Sequence, residues 1–153
     1  ISFITSGAYA QAHTKYAREV YVCLDAQMCL LPCGVRSMAT QKKLKAAGRS
    51  QTLRSKHLKQ SDGYSHAVDL VCYIDGDVCW EIDMYDEVAD AMKQAAINLG
   101  KKIGIKWGGA WTITDICEWN DNMEAAYISY CNTRSQQGRK IFCDMPHYEV
   151  SRF

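Results

Sequence analysis

The clearest periodicity in the chain runs through EIDMYDEVADAMKQAAINLG, residues 81–100, where Met84, Val88, Ala91, Ala95 and Leu99 recur at three- and four-residue intervals. That spacing predicts one apolar stripe on a helix, with acids in the first turn, where the helix dipole favours them, and Gly100 at its end. YAQAHTKYAREVYVCLDA, residues 9–26, shows a looser pattern of the same period and predicts a first helix, with His13 as a structural residue. MCLLPCGVRS reads as a strand broken by Pro32 and Gly34 into a turn that presents Arg36, and MATQKKLKAAG as a short helix stopped by Gly48. HAVDLVCYI is nearly continuous in apolar residues and predicts a single buried central strand, followed by a DGD turn. KKIGIKWGGAW predicts a strand entering a glycine turn, and NMEAAYISYCNTRSQQG an amphipathic helix or lid. KIFCDMPHYEVSRF predicts a closing strand, in which Pro146 enforces an extended backbone just before His147. Between these elements lies a long polar loop, GRSQTLRSKHLKQSDGYS, of the kind that carries function in compact domains. Helices and strands mix without regular alternation, which favours an α+β fold.

Composition narrows the partners. The chain has 153 residues, enough for one domain that buries its core without metal or disulfides. Its 18 lysines and arginines balance 17 acids, so no overall positive field exists to hold nucleic acid or an anionic membrane. No apolar stretch is long enough to span a bilayer, and no basic-then-apolar leader opens the sequence, so the chain reads as soluble and unexported. Its eight cysteines (23, 29, 33, 72, 79, 117, 131 and 143) form no CxxC or zinc-ribbon spacing, and several sit inside apolar segments such as LVCYI. They read as buried free thiols rather than a disulfide framework.

The candidate chemistry lies in three polar clusters on three predicted elements: Arg36, the stretch from His57 to Asp69, and Asp144 with His147. Together they supply two imidazoles and a carboxylate, the donor set of a three-ligand catalytic zinc site with an open fourth position, plus a spare carboxylate to move protons. His66 also stands near Asp69, and the residues alone leave it open as a ligand. Asp75 and Asp77 read as a simple turn because the full oxygen-ligand loop of a calcium site is absent. Ser55 and Ser65 have no partners that would suggest a serine nucleophile.

SKH followed by HAVDLV, then KWGGAW and DMPHYEV, resembles the zinc D-alanyl-D-alanine carboxypeptidase superfamily, in particular the phage endolysins that act as L-alanyl-D-glutamate peptidases. GVRSMATQKKLKAAGRSQT is similar to that family's arginine-bearing turn, helix and glycine-serine turn, so the resemblance runs from about residue 30 to the end. It implies the hedgehog/DD-peptidase fold, a small antiparallel sheet flanked by helices with the zinc site at the sheet. It makes His57, Asp69 and His147 the zinc ligands, Asp144 the catalytic acid/base and Arg36 the residue that steadies substrate or oxyanion. Ser50 and Trp111 join Arg36 as candidate substrate-binding residues, with Trp111 beside the glycine pair reading either as a cleft wall or as core; Glu149, two positions beyond His147 on one strand face, reads either as a partner that orients that imidazole or as a solvent-exposed acid. Two departures stand out: KQSDGYS lengthens the His57–Asp69 spacing, keeping His66 as a rival ligand, and a longer insertion separates Trp111 from Asp144.

The resulting expectation is a zinc-dependent endolysin, a single peptidase domain over residues 1–153 without a separate wall-binding domain. It would cleave the L-Ala-D-Glu bond of peptidoglycan stem peptides as a monomer, held in the host cytoplasm until lysis. A D-alanyl-D-alanine carboxypeptidase or dipeptidase is the alternative enzyme, and a hedgehog-like zinc-containing binding domain the alternative of another class.

Overall fold

The computed structural model describes residues 35–74, 77–98, 100 and 104–152. The helix predicted over 9–26 with His13, the strand residues before Val35, Cys23, Cys29, Cys33, Asp75 and Leu99 lie outside the described residues.

Helix α1 (Met38–Ala46) begins where the Ser37 side chain accepts from the Thr40 amide, and it carries Lys43 and Lys45 in its last turn, where the dipole is negative. Gly48 follows at φ +70, the left-handed conformation that the sequence assigned to it. Strand β1 (Ala67–Asp69) comes next, then β2 (Cys72–Ile74), β3 (Asp77–Cys79), α2 (Ile82–Asn98), β4 (Gly104–Trp107), a 3-10 turn (Ile116–Glu118), α3 (Met123–Gln136) and β5 (His147–Arg152). The arrangement is α+β, with an antiparallel three-stranded sheet ordered β1-β5-β4 and a separate β2-β3 hairpin.

Three expectations are corrected. HAVDLVCYI is two strands in two sheets: β1 pairs with β5, a ladder that the Leu70 amide carries one step further by donating to the Pro146 carbonyl at 2.8 Å, and β2 then pairs with β3. An unbroken apolar run could not reveal that break, since Leu70 and Val71 are both buried. The closing strand begins only at His147. Residues 140–146 are irregular and are pinned from outside: Tyr130 Oη donates to the Phe142 carbonyl and Trp107 Nε1 to that of Met145. On α2 the buried apolar residues are Met84, Tyr85, Val88, Ala89 and Ala96, so the stripe is rotated from the predicted one, and Ala91 and Ala95 are only half-buried. Tyr85 supplies more apolar area than either alanine and sets the packed face.

The core gathers α2 and α3 against the inner face of the sheet, through Tyr85, Val88, Ile105, Trp107, Met123 and Tyr148. Asp115 stitches β4 to the 3-10 turn by accepting from the Ile105 and Cys117 amides. The five described cysteines, Cys72, Cys79, Cys117, Cys131 and Cys143, are free thiols. No helix among the described residues is long and apolar enough to cross a membrane.

Candidate metal centre

Sheet register builds the site. On β1 and β5, Asp69 faces His147 directly and Ala67 faces Glu149, so two carboxylates and one imidazole lie in adjoining positions of one ladder. His147 and Glu149 are two residues apart on β5 and therefore share a face, where the Glu149 carboxylate lies 3.4 Å from His147 Nε2. The third group arrives from the polar loop: the Arg36 amide donates to the His57 carbonyl and His66 donates to that of Lys56, which fixes the loop against the start of β1.

Three atoms converge as a result. His57 Nε2 lies 3.1 Å from His147 Nδ1 and 3.1 Å from Asp69 Oδ1, and His147 Nδ1 lies 3.1 Å from the same Asp69 oxygen. Both imidazoles are buried. A tetrahedral zinc with bonds of about 2.0 Å separates its ligand atoms by about 3.3 Å, so this triangle has the edge length such an ion requires. His57 Nδ1, on the far side of its ring, is buried with no hydrogen-bond partner among the described residues. Nitrogen and oxygen donors of this kind suit zinc, and the residues fit the ion.

The electrostatics also favour a cation. Burial pushes Asp69 up, but hydrogen bonds from His147 and His57 and their charges outweigh it and hold the carboxyl well below the usual range. Burial pulls His147 down, yet Asp69 and Glu149 raise it further, to about 9. Glu149 is lowered, chiefly by its hydrogen bond with His147. Asp144 is pushed up by burial and then by the negative charge of Asp69, with His147, His57 and Arg36 opposing. A carboxyl raised in this way, beside a cluster able to bind a metal, is suited to taking up and releasing a proton.

The other expected residues are distributed as follows. Arg36 Nη2 lies 3.5 Å from Asp69 Oδ2, and its Nη1 donates to Gln41 Oε1. Trp111 walls the cleft, tilted over His147 with ring centroids 5.4 Å apart and stacked on Phe142. Ser50 lines the same cleft, but its hydroxyl accepts from Gln41 Nε2 at 2.7 Å and so serves the loop. His66 is not in the three-atom group and bonds instead to Asp62 at 2.7 Å. Sequence reasoning missed Gln41, which is fully buried and joins Arg36 to the loop through Ser50 Oγ and the Thr52 carbonyl. Its one signal was a polar residue whose helical position faces inward, which MATQKKL does not advertise.

Gly108 explains the glycine pair in KWGGAW. A Cβ there would sit 2.2 Å from the Asp144 carbonyl oxygen, because Gly108 and Asp144 run side by side: the Asp144 amide donates to the Gly108 carbonyl, and the Gly108 amide to that of His147. The whole arrangement opens into a cleft of about 690 Å³.

The family model for phage L-alanyl-D-glutamate peptidases matches residues 18–130, which include His57 and Asp69 and stop short of Asp144 and His147. Among solved structures, the crystal structure of the Serratia marcescens L-Ala D-Glu endopeptidase ChiX is similar at 32% sequence identity and a TM-score of 0.51, over 88% of this chain and 68% of that one. No curated protein matches the chain.

Proposed function

The chain belongs to the phage L-alanyl-D-glutamate peptidase family, and on that premise we propose that it is a zinc peptidase of lysis, hydrolysing the L-Ala-D-Glu amide in peptidoglycan stem peptides. The observation that carries this reading is the triangle of His57 Nε2, Asp69 Oδ1 and His147 Nδ1 beside a half-buried Asp144.

His57, Asp69 and His147 would hold the metal. A zinc ion bound there supplies a Lewis acid and makes water acidic enough to be deprotonated near neutral pH. Asp144 takes the proton of the attacking water and later delivers it to the leaving amine of D-glutamate. Its raised pKa serves the second half of that cycle, since a carboxyl that holds its proton more tightly remains an acid until the amine departs. Arg36 faces the charge that develops on the carbonyl oxygen, and Gln41 fixes the guanidinium for that task. Glu149 accepts from His147 Nε2, which leaves Nδ1 as the free lone pair and keeps the ring oriented. Trp111 and Phe142 wall the cleft and keep bulk water from the amide.

In this reading residues 1–153 form one peptidase domain, which acts as a monomer and waits in the host cytoplasm until it gains access to the wall. Digestion of purified peptidoglycan by the zinc-loaded protein, followed by mass spectrometry, tests the function. New amino-terminal D-glutamate is the expected product, and intact stem peptides would overturn the reading.

A further inference from the structure

The cleft presents an electrostatic difficulty. Asp69, Asp144 and Glu149 all line it, yet the substrate of the proposed function is itself an acid. D-Glutamate has two carboxyl groups, and continuing the peptide uses only one. The leaving side of the scissile amide therefore always carries another carboxyl, ionised unless it is amidated. Unopposed, three carboxylates in a partly desolvated cleft would repel it.

The stretch RSQTLRSK, residues 49–56, contains three cations and no acid in a chain whose net charge is only +1. Arg49, Arg54 and Lys56 are exposed, all three line the cleft, and none is in an ion pair among the described residues. The backbone that displays these cations is pinned. Buried Gln41 donates to Ser50 Oγ and to the Thr52 carbonyl at 2.6 Å, Lys45 Nζ donates to the Gln51 carbonyl, and the Arg54 amide donates to Thr52 Oγ1. The cations thus extend from a fixed edge that leads straight into His57. Bidentate guanidinium donors match a carboxylate in shape as well as charge.

We propose that Arg49 and Arg54, aided by Lys56, form a carboxylate-recognition strip that selects stem peptides whose D-glutamate keeps its second carboxyl free over those in which it is amidated. This rests on the peptidase reading above and assigns the specificity of that site.

The test uses two synthetic peptides identical except for that group, one with the free carboxylate and one with the carboxamide, and compares kcat/KM for the zinc-loaded protein. The unmodified protein should prefer the acid by about tenfold, since each exposed ion pair contributes at most about fivefold. In Arg49→Gln/Arg54→Gln the acid-to-amide ratio should collapse toward one, with the loss falling on KM for the acid. Lys56→Gln alone should lower the ratio partially, which provides a second reading if the double variant folds poorly. Zinc content and melting temperature measured alongside separate recognition from damage to the fold. An unmodified protein with no preference, or variants that lose both peptides in equal proportion, would overturn the strip while leaving the peptidase reading intact. Cleavage of neither peptide by the unmodified protein would overturn that reading, and the strip with it.

Discussion

At the scale of single residues, Asp144 separates catalysis from metal holding. Asp144→Asn keeps the shape of the side chain but cannot accept a proton at neutral pH, so the variant should bind zinc and fold while turnover falls by two to four orders of magnitude, about the range for a lost general base. Zinc content, melting and cleavage of wall peptides measured side by side check this; undiminished cleavage would pass the role to Glu149. Arg36→Ala should keep some activity, since proton transfer is untouched, but it also leaves Gln41 Oε1 and Asp69 Oδ2 without their partner. Asp86 behaves differently. It is buried on α2, and burial, with the charges of Asp83, Glu124 and Glu87 behind it, raises its carboxyl to about 7. The folded state therefore holds a proton that the unfolded chain releases near pH 4, and stability falls as pH rises from about 4 through about 7. Asp86→Asn removes that loss. It should stabilise the protein at pH 8 and lose the advantage near pH 4, as denaturant unfolding at the two pH values would reveal. An equal gain at both pH values would rule out the ionisation as its source.

At the scale of elements, the segment that carries Asp144 depends on close backbone approach rather than on regular pairing. Gly108→Ala puts a methyl group against the Asp144 carbonyl, so residues 143–146 must move. A cost of about 1–3 kcal/mol is expected, as for other overpacking changes, together with a fall in turnover larger than the loss of folded protein explains. Crystallography or amide exchange at Asp144 and His147 would detect the shift, and an unmoved segment with full activity would contradict it. The same segment shows why the sequence was only partly legible. His57, Asp69, Asp144 and His147 stand in a recognisable order, and the presence of helices α2 and α3 and the Gly48 and Gly100 stops are local signals that tertiary structure respected, although the buried face of α2 is not the predicted stripe. The split of HAVDLVCYI follows from its two halves pairing with different strands, β1 with the distant β5 and β2 with the adjacent β3, and no local pattern encodes the distant partner. Gln41 escaped notice for the same reason, since its bonds reach Arg36 on one side and Ser50 and Thr52 on the other.

At the scale of the whole molecule, the three converging atoms come from parts of the chain that share little regular structure. Asp69 and His147 sit on neighbouring strands, but His57 belongs to a loop tied to the residue before β1 by the His66 amide donating to the Lys56 carbonyl, and to the residues before α1 by an isolated bridge of Arg36 with Leu58. A metal bound by all three therefore ties the loop, and with it α1 through Gln41, to the sheet, and because the unfolded chain lacks the assembled site, binding energy adds to folding stability. Free zinc at about one hundred times its dissociation constant adds about 2.7 kcal/mol, which for a domain of this size corresponds to a rise of about 5–10 °C in Tm. Chelation should abolish that rise and added zinc should restore it. His57→Ala, Asp69→Ala and His147→Ala should each remove most of the zinc-dependent part of the melting temperature, whatever they do to the metal-free protein. His66→Ala should retain it, because His66 bonds to Asp62 outside the triangle. The difference between zinc-loaded and chelated melts is the decisive quantity, since it cancels damage that a substitution does to packing. A full zinc-dependent shift in His57→Ala with none in His66→Ala would reverse the assignment and place the metal on the other side of the loop.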